Sequence, residues 1–456
     1  MLKKLLSLVV LVSSTIFSQH TVKGYISPNL KSDWVILYRI EGTQQVFINN
    51  TTIKKDSLNI GGNLQAVGSF QFKLPANAKP GSYRATYYRL EETGFIDFYY
   101  NKENIEFIFN PEYAQQSVAF AKSKENNFYK NYLAEITVAQ EKIDSIQIAY
   151  IQDNSLKLDS EYQQAVTKFN AVQKKFENES KNMYVYDFIK ASPRINPPKM
   201  VTTGLAYLNQ IKNTFFSKLN FKNTRLKNSA FLTNRILDYI FYINFTEDSE
   251  QQQMLFKSSI DTVLAKLDNL TYKRDIIEFL ISQFESSKNI EIIDYLFAKH
   301  YDKLPKNLIN QKFKEEKKAL FTATIGRIAP DFTWSENGKS YKLSTLNDAQ
   351  KYVLVFWSTS CSHCLREIPQ LHELMKNKTE YKVIAFALEN NAFVWETYSK
   401  TNLPGWHNVL GLNKWENKTA RTYQINATPT YFILDSSKKI IAKPYEFKDV
   451  KIYLEN

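Results

Sequence analysis

The chain has 456 residues, 43% hydrophobic and 14% aromatic, with a net charge of +13 and only 12 glycines and 13 prolines. That length exceeds one hydrophobic core and calls for two to four domains, while the composition excludes collagen-like and low-complexity chains. The positive charge is scattered as single lysines and Lys-Lys pairs with no recognition motif beside it, which favours a soluble basic surface over nucleic-acid binding.

Residues 1–19 have the three zones of a secretory signal: Lys3 and Lys4, an apolar run from Leu5 to Phe17, then Ser18 and Gln19. No cysteine follows to carry a lipid, and no later stretch is long and apolar enough to span a bilayer. A periplasmic or cell-envelope protein without stable membrane insertion after signal removal is expected.

From 20 to 110 the hydrophobic period is two. Trp34, Ile36, Tyr38 and Ile40 alternate with other residues, as do Phe70, Phe72 and Leu74, then Tyr83, Ala85 and Tyr87, then Ile105, Phe107 and Phe109. Turn signals separate these runs at Gly61-Gly62, Pro75, Pro80-Gly81 and Glu92 to Gly94. A β-sandwich with its aromatics in the core is predicted.

Pro111 begins a change of period, and 111–322 reads as an all-α domain. Phe128, Tyr132, Ile136, Ala139, Ile143, Ile146 and Tyr150 lay one stripe along a long helix, and Tyr162, Ala165, Phe169, Val172 and Phe176 lay another along its hairpin partner. Further helical segments follow Pro197-Pro198, ending in the Lys and Glu run 312–318, a solvated face. No catalytic constellation occurs there.

Over 323–456 strands and helices alternate: strand 352–357, helix 361–376, strand 383–388, helix 392–400, helix 416–423, strand 430–434 and strand 440–443. Such alternation predicts a central sheet with helices on its faces, so the whole chain reads as a multidomain α+β protein.

Both cysteines of the chain, Cys361 and Cys364, lie at the junction of the first of those strands and its helix. An exported chain with two cysteines has no disulfide framework, and a loop this small contributes little stability, so the pair is there for its reactivity. At a helix start the unpaired N–H groups and the dipole favour a thiolate, which makes Cys361 the attacking thiol and Cys364, one turn on, the resolving thiol. His363 between them would favour the thiolate when protonated, and Glu367, three residues after Cys364, could exchange its proton.

The strand, the Cys-x-x-Cys at a helix start, Pro369, and Ala427-Thr428-Pro429-Thr430 before a strand resemble the thioredoxin fold. Ala329-Pro330-Asp331-Phe332, Glu367 and the long span before Pro429 are more closely similar to the exported TlpA/ResA-like thiol-disulfide oxidoreductases. The resemblance covers roughly residues 322–456 and implies a cis Thr428-Pro429 bond against the cysteine pair, where the backbone holds a substrate cysteine strand. The catalytic set is then Cys361, Cys364 and Glu367, and the substrate-binding set Thr428, Pro429, His363 and Trp357.

The implied activity is reduction of protein disulfides, with an oxidant or isomerase of the same fold and a non-enzymatic envelope scaffold as alternatives. Partners would be cysteine-containing proteins and a membrane or periplasmic thiol donor. No cofactor is expected, and His20, His300, His372 and His407 show no spacing that completes a metal site. A peroxidase of this fold would want a proline ahead of the attacking cysteine, and 357–360 has none. Ser360 and His363 depart from the family's usual Trp and Pro, Val355 stands where thioredoxins often carry a buried acid, and the segment after Lys443 is short for a final helix.

Overall fold

A computed structural model describes residues 20–30, 32–89, 92–336 and 338–455; the expected signal at 1–19 lies outside them. The first described elements are strands β1 (Thr21–Ile26), β2 (Trp34–Glu41), β3 (Gln44–Thr52), β4 (Lys54–Ile60), β5 (Asn63–Lys73), β6 (Gly81–Arg89), β7 (Glu92–Tyr100), β8 (Ile105–Phe109) and β9 (Ala119–Lys122). They form two sheets, β4-β5-β1-β8-β9 and β3-β2-β6-β7, which share one core. Phe70, Phe72, Tyr83, Ala85, Tyr87, Ile105, Phe107 and Phe109 enter it, as their alternation predicts.

Strand β2 departs from its predicted face. Val35 and Leu37 point into the core while Trp34 is 41% exposed, because strand pairing selects the opposite set and a one-residue change flips every side chain. A bulge against β3 between Leu37 and Tyr38 then shifts the phase, so Ile40 is buried again.

Helices Lys124–Gln152 and Asp159–Glu179 pair as the predicted hairpin. Tyr132, Ile136, Ala139, Ile143 and Ile146 are buried on the first, and Tyr162, Ala165, Phe169 and Phe176 on the second. Glu125, at the start of this hairpin, is buried yet accepts hydrogen bonds from Asn101 Nδ2 (2.6 Å) and the backbone N–H groups of Tyr184 (3.0 Å) and Val185 (3.1 Å). Three donors offset the desolvation of one carboxylate and bind the sandwich to the helices. Further helices include Gly204–Thr214, Ala230–Leu237, Ser249–Ala265 and Leu270–Ser286.

The described residues divide into two compact units between Leu308 and Ile309, with the sandwich and these helices together in the first. The second unit holds helix Gln311–Leu320, the hairpin β10 (Thr333–Glu336) and β11 (Lys339–Lys342), and a five-stranded sheet. Its strands β12 (Lys351–Trp357), β13 (Tyr381–Glu389), β14 (His407–Leu412), β15 (Thr430–Asp435) and β16 (Ile440–Ala442) are ordered β14-β13-β12-β15-β16. Strands β12, β13 and β14 are parallel, while β15 and β16 join antiparallel.

After Lys351, strand β12 is an unbroken buried run, Tyr352 to Trp357, because both faces are covered. Val353, Val355 and Trp357 pack under helices Ser362–Met375 and Phe447–Glu455, while Tyr352, Leu354 and Phe356 pack against Phe332, Trp334, Ala420 and Tyr423. The short segment after Lys443 still closes the fold with a nine-residue helix, Phe447–Glu455, seated through Val450 and Leu454.

Candidate active site

The end of β12 delivers the cysteine pair. Trp357 is the last strand residue, Ser358 and Thr359 turn the chain, and Cys361 caps helix Ser362–Met375 with its sulfur accepting from the Cys364 N–H at 3.3 Å. A cap in this position turns free backbone donors toward the sulfur, so local chain geometry alone favours a thiolate. Cys361 is half-buried, whereas Cys364 on the inner face of the helix is fully buried.

The two thiols are driven apart electrostatically. Burial pushes Cys361 up, but hydrogen bonding by Cys364, Thr428 and the N–H groups of Cys364 and His363 outweighs it, and the thiol titrates below its ordinary 9.0. Burial, followed by the hydrogen bond to Cys361, pushes Cys364 up to about 12. One sulfur is prepared to attack, and the other is held protonated.

Thr428 and Pro429 face the pair across the sheet end. The Thr428-Pro429 peptide bond is cis, and the Thr428 carbonyl accepts from the Cys361 thiol at 3.2 Å. Thr428, Pro429 and Thr430 are half-exposed, and Ala427 is exposed, so backbone beside the sulfur is open to another chain. His363 is exposed on the first helical turn and brings its N–H to Cys361.

Trp357 is positioned differently from its expected substrate-binding role. It has no exposed surface and packs against the tilted ring of Tyr398, 5.4 Å between ring centroids. The strand ends after it, so its ring is enclosed between sheet and helix and supports the cysteine turn from below. It belongs to the core, out of reach of a substrate.

Glu367 lies on the inner side of the helix, its side chain 13% exposed. Its Oε2 accepts from Tyr431 Oη at 3.0 Å and from the Phe447 N–H at 3.1 Å, the first turn of the C-terminal helix. Tyr431 is fully buried, and its hydroxyl is held far above the ordinary phenol range by burial, by Glu367 and by both cysteines. Glu367 is therefore held by Tyr431, a residue the sequence reading missed. Its signal was available, since Tyr431 is two residues after Pro429 on the strand that pairs with β12.

Elsewhere in this unit, His407 is buried between Glu336 Oε2 (3.2 Å) and Asp348 Oδ2 (2.7 Å). Burial pushes Asp348 up, and the histidine's hydrogen bond reverses this and holds it below its ordinary value. These contacts join β10 and β14 at a distance in sequence from the cysteines. Among the described residues no group of three or more His, Cys, Asp or Glu side chains is arranged to hold a metal ion.

The Redoxin family matches residues 324–454. A "Thioredoxin-like protein" of Haemophilus influenzae is 30% identical over 103 residues, 22% of this chain and 58% of the relative, so the chain spans less than two thirds of that protein's length. The "Thiol-disulfide oxidoreductase ResA" of Geobacillus thermodenitrificans is 29% identical over 157 residues, 32% of this chain and 84% of the relative. Among solved structures, a domain of a possible thiol-disulfide isomerase from Cytophaga hutchinsonii aligns at 28% identity with a TM-score of 0.26, covering 29% of this chain and 91% of that one. With its cysteine pair at the end of the central strand, the C-terminal unit is similar to the Redoxin family and to the ResA thiol-disulfide oxidoreductases.

Proposed function

We propose that the protein is an exported reductant of protein disulfides that works through a Cys361/Cys364 dithiol. The observation that carries this reading is the asymmetry of the pair: a half-exposed thiol with its thiolate favoured, one helical turn from a buried thiol held protonated. The Cys361 thiolate attacks one sulfur of a substrate disulfide, that S–S bond breaks, and the leaving thiolate takes up a proton. Cys364 then loses its proton and attacks the Cys361 sulfur, which releases the second substrate thiol.

Two electrons and two protons pass to the substrate, and the protein is left with a Cys361–Cys364 disulfide that an external thiol donor must reduce. Burial holds Cys364 protonated, so any thiolate stabilisation of the reduced form is confined to Cys361. That balance suits an electron donor. Glu367 serves the second step as acceptor of the proton that Cys364 gives up, with the Tyr431 hydroxyl donating to its carboxylate, and the backbone at Thr428 and Pro429 receives the substrate strand.

Export to the periplasm or cell envelope rests on the signal-like residues 1–19. No helix among the described residues is long and apolar enough to cross a membrane. A Cys364→Ser variant should accumulate a mixed disulfide on Cys361 when offered an oxidised protein substrate. A variant that stays unmodified would remove the proposed mechanism.

A further inference from the structure

The segment after β14 carries a feature that disulfide exchange by two cysteines does not require. Asn413 and Lys414 are consecutive non-glycine residues with positive φ, 69° and 42°, a backbone conformation that L side chains rarely adopt and that costs free energy. The turn is braced, with the Glu416 N–H donating to the Asn413 carbonyl (2.8 Å), the Asn417 N–H to the Lys414 carbonyl (3.1 Å) and Asn417 Nδ2 to the Leu412 carbonyl (3.0 Å). Its effect is to bring Lys414 back over the active-site turn, where its Nζ donates to Ser360 Oγ at 3.0 Å.

Ser360 directly precedes Cys361, is exposed, and is itself fixed by a 2.9 Å hydrogen bond between its hydroxyl and that of Ser358. Lys414 is half-exposed, and an ammonium has three donors, of which Ser360 takes one. Acids on the flanking segments are engaged elsewhere: Glu389 at the end of β13 accepts from the Thr359 N–H at 2.5 Å, and Glu416 pairs with Arg421. The cation held on the residue before Cys361 thus keeps donors for a group from outside.

We propose that Lys414, held by Ser360, is a specificity-determining residue that selects substrates bearing a carboxylate close to the target cysteine. An extended strand advances about 3.3 Å per residue, so an Asp or Glu one to three residues from the cysteine reaches the ammonium while its own sulfur is at Cys361. The inference rests on the reductase reading above and adds the substrate class to it.

The test uses the full chain and two disulfide-linked peptides that differ only in Asp or Asn two residues from the cysteine. The wild type should show kcat/KM higher for the Asp peptide by roughly fivefold, a preference that shrinks as salt is added. Lys414→Met should bring the ratio to about one, Lys414→Glu should reverse it, and Ser360→Ala should lower it partway. Reversal of sign cannot come from a misfolded variant. A wild-type ratio of one, or one that Lys414→Glu leaves unchanged, overturns the inference and spares the reductase function; a wild type that reduces neither peptide overturns both.

Discussion

Cys361 and Cys364 share one helical turn but titrate in opposite directions, and reagents can read that difference. Thiolates are the nucleophiles, so iodoacetamide at about pH 8 should modify Cys361 and leave Cys364 intact until the chain is denatured. Because the Cys361 thiol lies below its ordinary 9.0, its alkylation should persist as pH falls below that value and decline only through its own lower midpoint. Equal modification of both cysteines by mass spectrometry would contradict the asymmetry. At Glu367, replacement by Gln removes the charge that receives the Tyr431 and Phe447 donors. Quenched-flow analysis should then show the mixed disulfide resolving roughly ten- to a hundredfold more slowly, with its formation unchanged. The cysteine pair and Glu367 were legible in the sequence because their spacing encodes strand, turn and helix, and Pro429 through the family resemblance. Lys414 was not, since its relation to the cysteine turn exists only after the turn beyond β14 folds back to β12.

The elements show where periodicity is informative and where it is blind. Strand β12 and the cysteine helix could be placed from a long apolar run and a thiol at its end, whereas β2 presented two alternating sets of similar hydrophobicity. There the choice fell to sheet pairing and a bulge, which leave no mark on composition. The same sheet-level packing makes a sharp prediction at Gly411 on β14. A Cβ there would meet the Phe386 ring at 2.3 Å and the Ala387 carbonyl at 3.1 Å, so Gly411→Ala should destabilise the second unit by about 1–3 kcal/mol. Urea unfolding followed by Trp fluorescence would measure this, and a midpoint equal to that of the wild type would mean the strand has room that its packing denies.

At the scale of the molecule, chemistry and bulk are separated. Both cysteines lie in the unit beginning at Ile309, and that unit has its own cores on both faces of its sheet. A fragment starting at Ile309 should therefore fold with a cooperative transition and retain disulfide-reducing activity; a fragment that is unfolded by circular dichroism would show that the unit depends on the preceding chain. The alternating strands and helices marked a domain from 323 onward, but the association of sandwich and helices in one compact unit depends on contacts such as Asn101 with Glu125 and Tyr99 with Asn126, which no local pattern encodes. The central claim is that the two thiols act together as an electron donor. Its most direct measurement is the mass of the fully reduced protein after one turnover with excess insulin. The account predicts reduced insulin chains and a protein lighter by two hydrogens with Cys361 joined to Cys364; intact insulin and two free thiols would contradict it.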